Sequence, residues 1–147
     1  SNEAGKMVLI ARMGRAKVAA ALGPLIDAVA KAGLRVLWVC DPMHGNTITT
    51  ARGIKTRVFD DVMAELTESF DIHAAHNSHL GGVHIEMTGE DVTECLGGAT
   101  GLTEDDLDKR YQSLCDPRLN YDQALEVAFA LAGKLQAVGG KLPSDAP

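Results

Sequence analysis

The sequence has little cysteine: Cys40, Cys95 and Cys115 are the only three among 147 residues, an odd number with no C-x-x-C spacing. That count argues against a disulfide framework and a zinc knuckle, and leaves reduced, mostly buried thiols as the expectation. Long apolar runs are also missing. Nothing approaches the roughly 20 residues that span a bilayer, and Ser1-Asn-Glu-Ala-Gly-Lys6 lacks the form of a signal peptide, so no membrane partner and a cytoplasmic location are expected. Positive charge is scarce as well. Fourteen Lys and Arg against 20 Asp and Glu give a net charge of −6, whereas a nucleic-acid surface needs clustered cations. No nucleic-acid partner is expected, and small molecules are favoured.

What is present is one domain's worth of apolar material, 46% of the chain, in alternating patterns. Met7-Val-Leu-Ile-Ala11 predicts a short strand that gives way to Arg12-Met13-Gly14. From Arg15 to Ala32, Val18, Leu22, Leu25, Ile26 and Val29 recur at intervals of three and four and Gly33 supplies a left-handed stop, which predicts an amphipathic helix. Val36-Leu-Trp-Val39 then predicts a buried parallel strand, ended at Asp41-Pro42 because proline cannot continue the ladder. A polar loop, Gly45 to Arg57, precedes a second helix carrying Val58, Val62, Leu66 and Phe70 to about Ala75. Gly81-Gly82 introduces a third strand, Val83 to Met87. Thr103-Glu-Asp-Asp106 is expected to cap a short helix reaching about Tyr111. Asn120 with Gln123 caps the last one, whose face of Leu125, Ala128, Phe129, Ala132 and Leu135 runs out at Gly139-Gly140.

These elements predict an α/β domain over residues 1–140, with three parallel strands in βα units and a flexible tail at 141–147. Three strands cannot close a barrel, and each edge strand would carry unpaired backbone. The chain is therefore expected to be a homo-oligomer, or to bind the polypeptide that supplies further strands.

His44, Glu86 and Asp116 follow successive elements at one rim, the carboxyl-terminal end of the strands where α/β folds place their chemistry. One imidazole with two carboxylates suits Mn²⁺, Co²⁺ or Fe²⁺ rather than a closed zinc site. Each residue has an ordinary alternative. His44 can bond loop backbone, Glu86 can pair with a lysine, and Asp116 can form the turn that Pro117 suggests. Glu86 fits its alternative least well, since a carboxylate ending an apolar strand is costly to bury unpaired. Arg12, Lys55 and Arg57 share the rim; with a metal they suggest a phosphorylated, carboxylate-bearing substrate. His73-x-x-His76-x-x-His79 straddles a helix end, so one ligand face is not expected there.

Arg12-Met-Gly14, Cys40-Asp-Pro-Met-His-Gly-Asn-Thr47, Gly53-Ile-Lys-Thr-Arg57, Gly82-Val-His-Ile-Glu-Met-Thr-Gly89, Val92-Thr-Glu-Cys-Leu-Gly-Gly98 and Cys115-Asp-Pro-Arg-Leu-Asn120 together resemble the C-terminal part of type II (plant-like) 3-deoxy-D-arabino-heptulosonate 7-phosphate (DAHP) synthases. The resemblance runs from about Gly5 to Leu135. It implies a partial (β/α)₈ TIM barrel, strands six to eight, and the divalent-metal-dependent condensation of phosphoenolpyruvate with erythrose 4-phosphate, with Mn²⁺ or Co²⁺ as the metal. It implies that His44, Glu86 and Asp116 are metal ligands, that Arg12 binds phosphoenolpyruvate, and that Lys55 and Arg57 lie near the sugar phosphate. The family's cysteine ligand, active-site lysine and further phosphate-binding arginines match nothing in this chain. The alternative is a truncated homologue that serves as a metal- and phosphate-binding accessory subunit, or an oligomeric enzyme with another substrate.

Overall fold

The computed structural model describes residues 2–137. Gly139-Gly140 and the 141–147 tail lie outside the described residues. Strand β1 (Val8–Ala11), helix α1 (Arg15–Lys31) and strand β2 (Leu37–Cys40) form the expected βα unit, pairing in parallel with Val8 opposite Leu37 and Ile10 opposite Val39. Gly33 takes the left-handed φ of 65° that ends α1, and its amide donates to Ala30.

The polar loop after His44 holds more structure than expected. His44–Asn46 makes one 3₁₀ turn, and β3 (Thr47–Thr49) pairs antiparallel with β4 (Lys55–Arg57). Thr50 closes this hairpin, since its carbonyl accepts the Gly53 amide at 2.9 Å and its hydroxyl the Ile54 amide at 3.2 Å. Helix α2 (Phe59–Ala75) leads to β5 (Leu80–Val83), which lies beside β2 in the sheet order β1-β2-β5.

The third strand thus begins and ends earlier than the expected Val83–Met87. Gly81 fits this position: a Cβ there would come within 2.3 Å of Leu37 Cδ1, so a larger residue would have to push the exposed Leu37 side chain aside. Glu86 therefore sits past the strand end. The predicted helix from Thr103 to Tyr111 shrinks to the 3₁₀ turn Glu104–Asp106, which Thr103 and Asp106 cap reciprocally. Thr93 takes what the next turn of helix would need, donating to the Leu107 carbonyl and accepting the Arg110 amide.

Helix α3 (Tyr121–Ala137) begins as expected, with Asn120 Oδ1 accepting the Gln123 amide and Gln123 Oε1 accepting that of Asn120. Its packed face is not the expected one. Val127 and the half-buried Leu131 pack on the core, while Leu125, Phe129 (74% exposed) and Leu135 lie open. Ala124, Val127, Ala130 and Leu131 form a second apolar stripe on this helix, and that stripe meets α2.

The core joins Leu22 and Ile26 of α1, Trp38 and Cys40 of β2, and Val62 and Leu66 of α2 on one side of the sheet. On the other side Val8, Ile10 and Leu37 are more than two-fifths exposed. Cys40 and Cys95 are buried, and burial pushes both thiols up to about 12; Cys115, by contrast, is exposed.

Candidate metal and anion site

The carboxyl ends of β2 and β5 face the segment from Gln112 to Asn120. Two bonds dock that segment beside β5, from Leu119 N to the Glu86 carbonyl (3.0 Å) and from Thr88 N to the Leu119 carbonyl (2.9 Å). Asp116 is thereby carried next to Glu86. His44 Nε2 lies 3.3 Å from Glu86 Oε1 and 3.9 Å from Asp116 Oδ2, and one ligand atom from each of the three falls within 4.8 Å of the others. Ligand distances of about 2.0–2.3 Å to a shared cation give atom separations on this scale, so the donor set fits a divalent metal.

Each carboxylate is steered by a cation on its far oxygen. Arg57 donates to Glu86 Oε2 at 2.6 Å, and Lys55 pairs with Asp116 Oδ1. The lysine bond is the main reason that the Asp116 carboxyl sits below the usual range. Arg57, expected near a sugar phosphate, is instead fully buried and spends its donors on protein: Glu86, the Pro117 carbonyl and Thr47 Oγ1. Its second terminal nitrogen is buried without a partner. Lys55 and Arg12 remain about half exposed at the rim, as an anion-binding role requires.

Residues that the sequence reading passed over hold this geometry. Asp41 is fully buried, hydrogen-bonds His44 Nδ1 at 2.7 Å and forms an ion pair with Arg12 Nε at 3.0 Å. Burial alone would raise its pKa; the amides of His44 and Met43 and the His44 ring outweigh that and hold it below the ordinary carboxylate range. Glu94, also fully buried, accepts the amides of Gln112, Ser113 and Arg118 and both Nε and a terminal nitrogen of Arg118. Burial again opposes its charge, and Arg118 with these amides again prevails. Glu65 of α2 ties the other two loops together. Its Oε1 accepts the Met13 and Gly14 amides at 3.0 and 2.9 Å, and its Oε2 accepts Asn46 Nδ2 at 2.7 Å. With no cation beside it, burial wins and the Glu65 pKa is raised.

His84, exposed and two residues before Glu86, brings its ring centroid to 5.9 Å from that of His44. Asp41, His44 and His84 also offer mutually close ligand atoms, yet both Asp41 oxygens are already engaged, Oδ1 by two amides and Oδ2 by His44 Nδ1 and the Arg12 ion pair. His73 and His76 are held apart by separate partners, Ser78 and Asp27, and the three histidines of that series form no ligand group among the described residues.

A parallel α/β unit whose strand ends converge on one imidazole, two carboxylates and an exposed arginine and lysine has the layout of an α/β enzyme active site. The family model described as the Class-II DAHP synthetase family matches residues 1–132, and the chain belongs to that family. It is 49% identical over 136 residues to phospho-2-dehydro-3-deoxyheptonate aldolase AroG of Mycolicibacterium smegmatis, an alignment covering 92% of this chain and 29% of that protein. With phospho-2-dehydro-3-deoxyheptonate aldolase of Neurospora crassa it shares 52% identity over 134 residues, 90% of this chain and 28% of that protein. The chain thus spans less than a third of the length of the relatives it matches. Among the described residues, no helix is long and apolar enough to cross a membrane.

Proposed function

We propose that this chain supplies the C-terminal part of a DAHP synthase active site, serving the condensation of phosphoenolpyruvate with erythrose 4-phosphate. The convergence of His44, Glu86 and Asp116 within 4.8 Å carries this reading. These three residues would hold a divalent cation: one imidazole and two hard carboxylates suit Mn²⁺, Co²⁺ or Fe²⁺, and the family resemblance favours Mn²⁺ or Co²⁺. Such an ion supplies Lewis-acid polarisation of an aldehyde oxygen. Arg12 and Lys55, with cationic heads at the surface, orient the anionic groups of the substrates, Arg12 gripping phosphoenolpyruvate and Lys55 the sugar phosphate. Arg57 contributes from beneath by fixing Glu86.

The site has two surface cations and three ligands, and the sheet that carries it presents an uncovered apolar face. Condensation at a normal rate therefore requires further strands, from a second copy or from the polypeptide bearing the rest of the barrel. The test is a Mn²⁺ titration of the purified chain followed by electron paramagnetic resonance, with a turnover assay in parallel. Mn²⁺ binding that His44→Ala abolishes is the expected result, together with turnover below the usual enzyme range of about 1–1000 per second. Unchanged Mn²⁺ binding in His44→Ala overturns the ligand assignment.

A further inference from the structure

Asp41 is the side chain that touches both the metal-ligand cluster and the anion-binding arginine. Its three hydrogen bonds and one ion pair divide cleanly between its two oxygens. Oδ1 accepts the amides of Met43 (3.0 Å) and His44 (3.2 Å), which fixes the plane of the carboxylate against the turn. Oδ2 lies 2.7 Å from His44 Nδ1 and 3.0 Å from Arg12 Nε. An ionised carboxylate only accepts, so the proton in the histidine contact belongs to Nδ1. With the proton on Nδ1, the neutral form of the ring turns the lone pair of Nε2 towards Glu86 and Asp116, the form in which imidazole binds a metal.

We propose that Asp41 is a positioning residue coupling the metal position to the anion site, one oxygen atom setting both the tautomer of His44 and the direction of Arg12. The proposal deepens the metal reading above and rests on it, except that the tautomer can be read without any metal. A cation held at Nε2 would make the Nδ1 proton more positive, so that Oδ2 would bind His44 more strongly and Arg12 less. Arg12 would then be freer to meet an incoming anion, and by reciprocity an anion on Arg12 would favour the cation.

Asp41→Asn tests this with little change in shape. The Met43 and His44 amides continue to select an oxygen at the Oδ1 position, so the new NH₂ occupies the place of Oδ2 and donates to His44 Nδ1. His44 must then carry its proton on Nε2. Long-range proton–nitrogen spectra of the metal-free, nitrogen-15 histidine-labelled chain, recorded at a pH where the ring-nitrogen shifts themselves show a neutral imidazole, read this directly. Nδ1–H in the parent and Nε2–H in the variant are expected. Mn²⁺ should bind the variant about 10–100-fold more weakly, as for other partners of a ligating histidine. Inorganic phosphate should tighten Mn²⁺ on the parent and not on the variant.

A parent chain with Nε2–H, or a folded variant whose tautomer and Mn²⁺ affinity are both unchanged, overturns the proposal. Should the variant fail to fold, the parent spectrum still decides the tautomer, and Arg12→Gln decides the coupling: it must keep Nδ1–H and abolish the phosphate effect. A parent with Nδ1–H that binds no Mn²⁺ overturns the metal reading while upholding the anchoring of His44 by Asp41.

Discussion

Gly14 and Gly45 meet backbone against backbone: a Cβ on Gly45 would stand 2.3 Å from Gly14 N, and one on Gly14 would stand 2.5 Å from Gly45 O. This contact brings the Arg12 loop against the His44 loop, and Glu65 locks it by accepting Met13 N, Gly14 N and Asn46 Nδ2. Gly45→Ala should therefore cost about 1–3 kcal/mol through overpacking. Urea denaturation measures the loss, and faster amide exchange at Met13 and Gly14 should accompany it.

Glu94→Ala strips the partner from three amides and from Arg118. Leaving these part-buried donors without their acceptor costs about 1–3 kcal/mol. The destabilisation should concentrate in residues 112–118, read as lost amide protection at Gln112, Ser113 and Arg118. Mn²⁺ affinity should fall with it, since Asp116 sits on this segment. Glu94→Gln should recover part of both, because it restores one acceptor.

His73 makes the fold acid-sensitive. It is 1% exposed, its Nδ1 meets Ser78 Oγ and its Nε2 has no partner, and burial lowers its pKa from 6.5 to about 4. Between those values the unfolded chain binds the extra proton, so stability is fully present above about pH 6.5 and falls as the pH drops towards 4. The loss amounts to about 3 kcal/mol at 1.36 kcal/mol per unit. His73→Gln should flatten this part of the urea-midpoint profile. The depressed carboxyls of Asp41, Glu94 and Asp116 act on the acid side of the ordinary carboxylate range, also losing stability as pH falls.

Two open faces predict association. Val8, Ile10 and Leu37 on the sheet, and Leu125, Phe129 and Leu135 on α3, are apolar and exposed together. An assembly covering them should bury more than about 2,000 Å² in total, the scale of an obligate interface. Light scattering across a dilution series checks it; a monodisperse monomer at micromolar concentration would contradict it.

The βα alternation was legible because apolar spacing in α1, α2 and β2 records which side faces the core. Helix α3 shows the limit of that signal: both of its stripes are apolar, and only the neighbouring α2 selects Val127 and Leu131 over Phe129. The early start of β5 was hidden because Gly81 and Gly82 carry no apolar pattern. At the site, motif order located His44, Glu86 and Asp116, whereas Asp41, Glu65 and Glu94 went unread. Each combines backbone amides with a side chain brought near by the fold, contacts that no side-chain pattern reports. Glu94, an acid among Val92, Cys95 and Leu96, did carry a faint signal of burial.

The two carboxylates facing His44 are held by unlike hands. Arg57 is rigid, planar and sealed inside the protein, so Glu86 is set before any ligand arrives; Lys55 is a flexible stem in contact with water, so Asp116 can yield. The proposed cation position would thus have one fixed jaw and one sprung jaw. Ions of different radius can then be gripped by moving Asp116 alone, leaving the strand-end framework undisturbed. Replacing Lys55 should change which ion is preferred, whereas replacing Arg57 should weaken the grip on all of them.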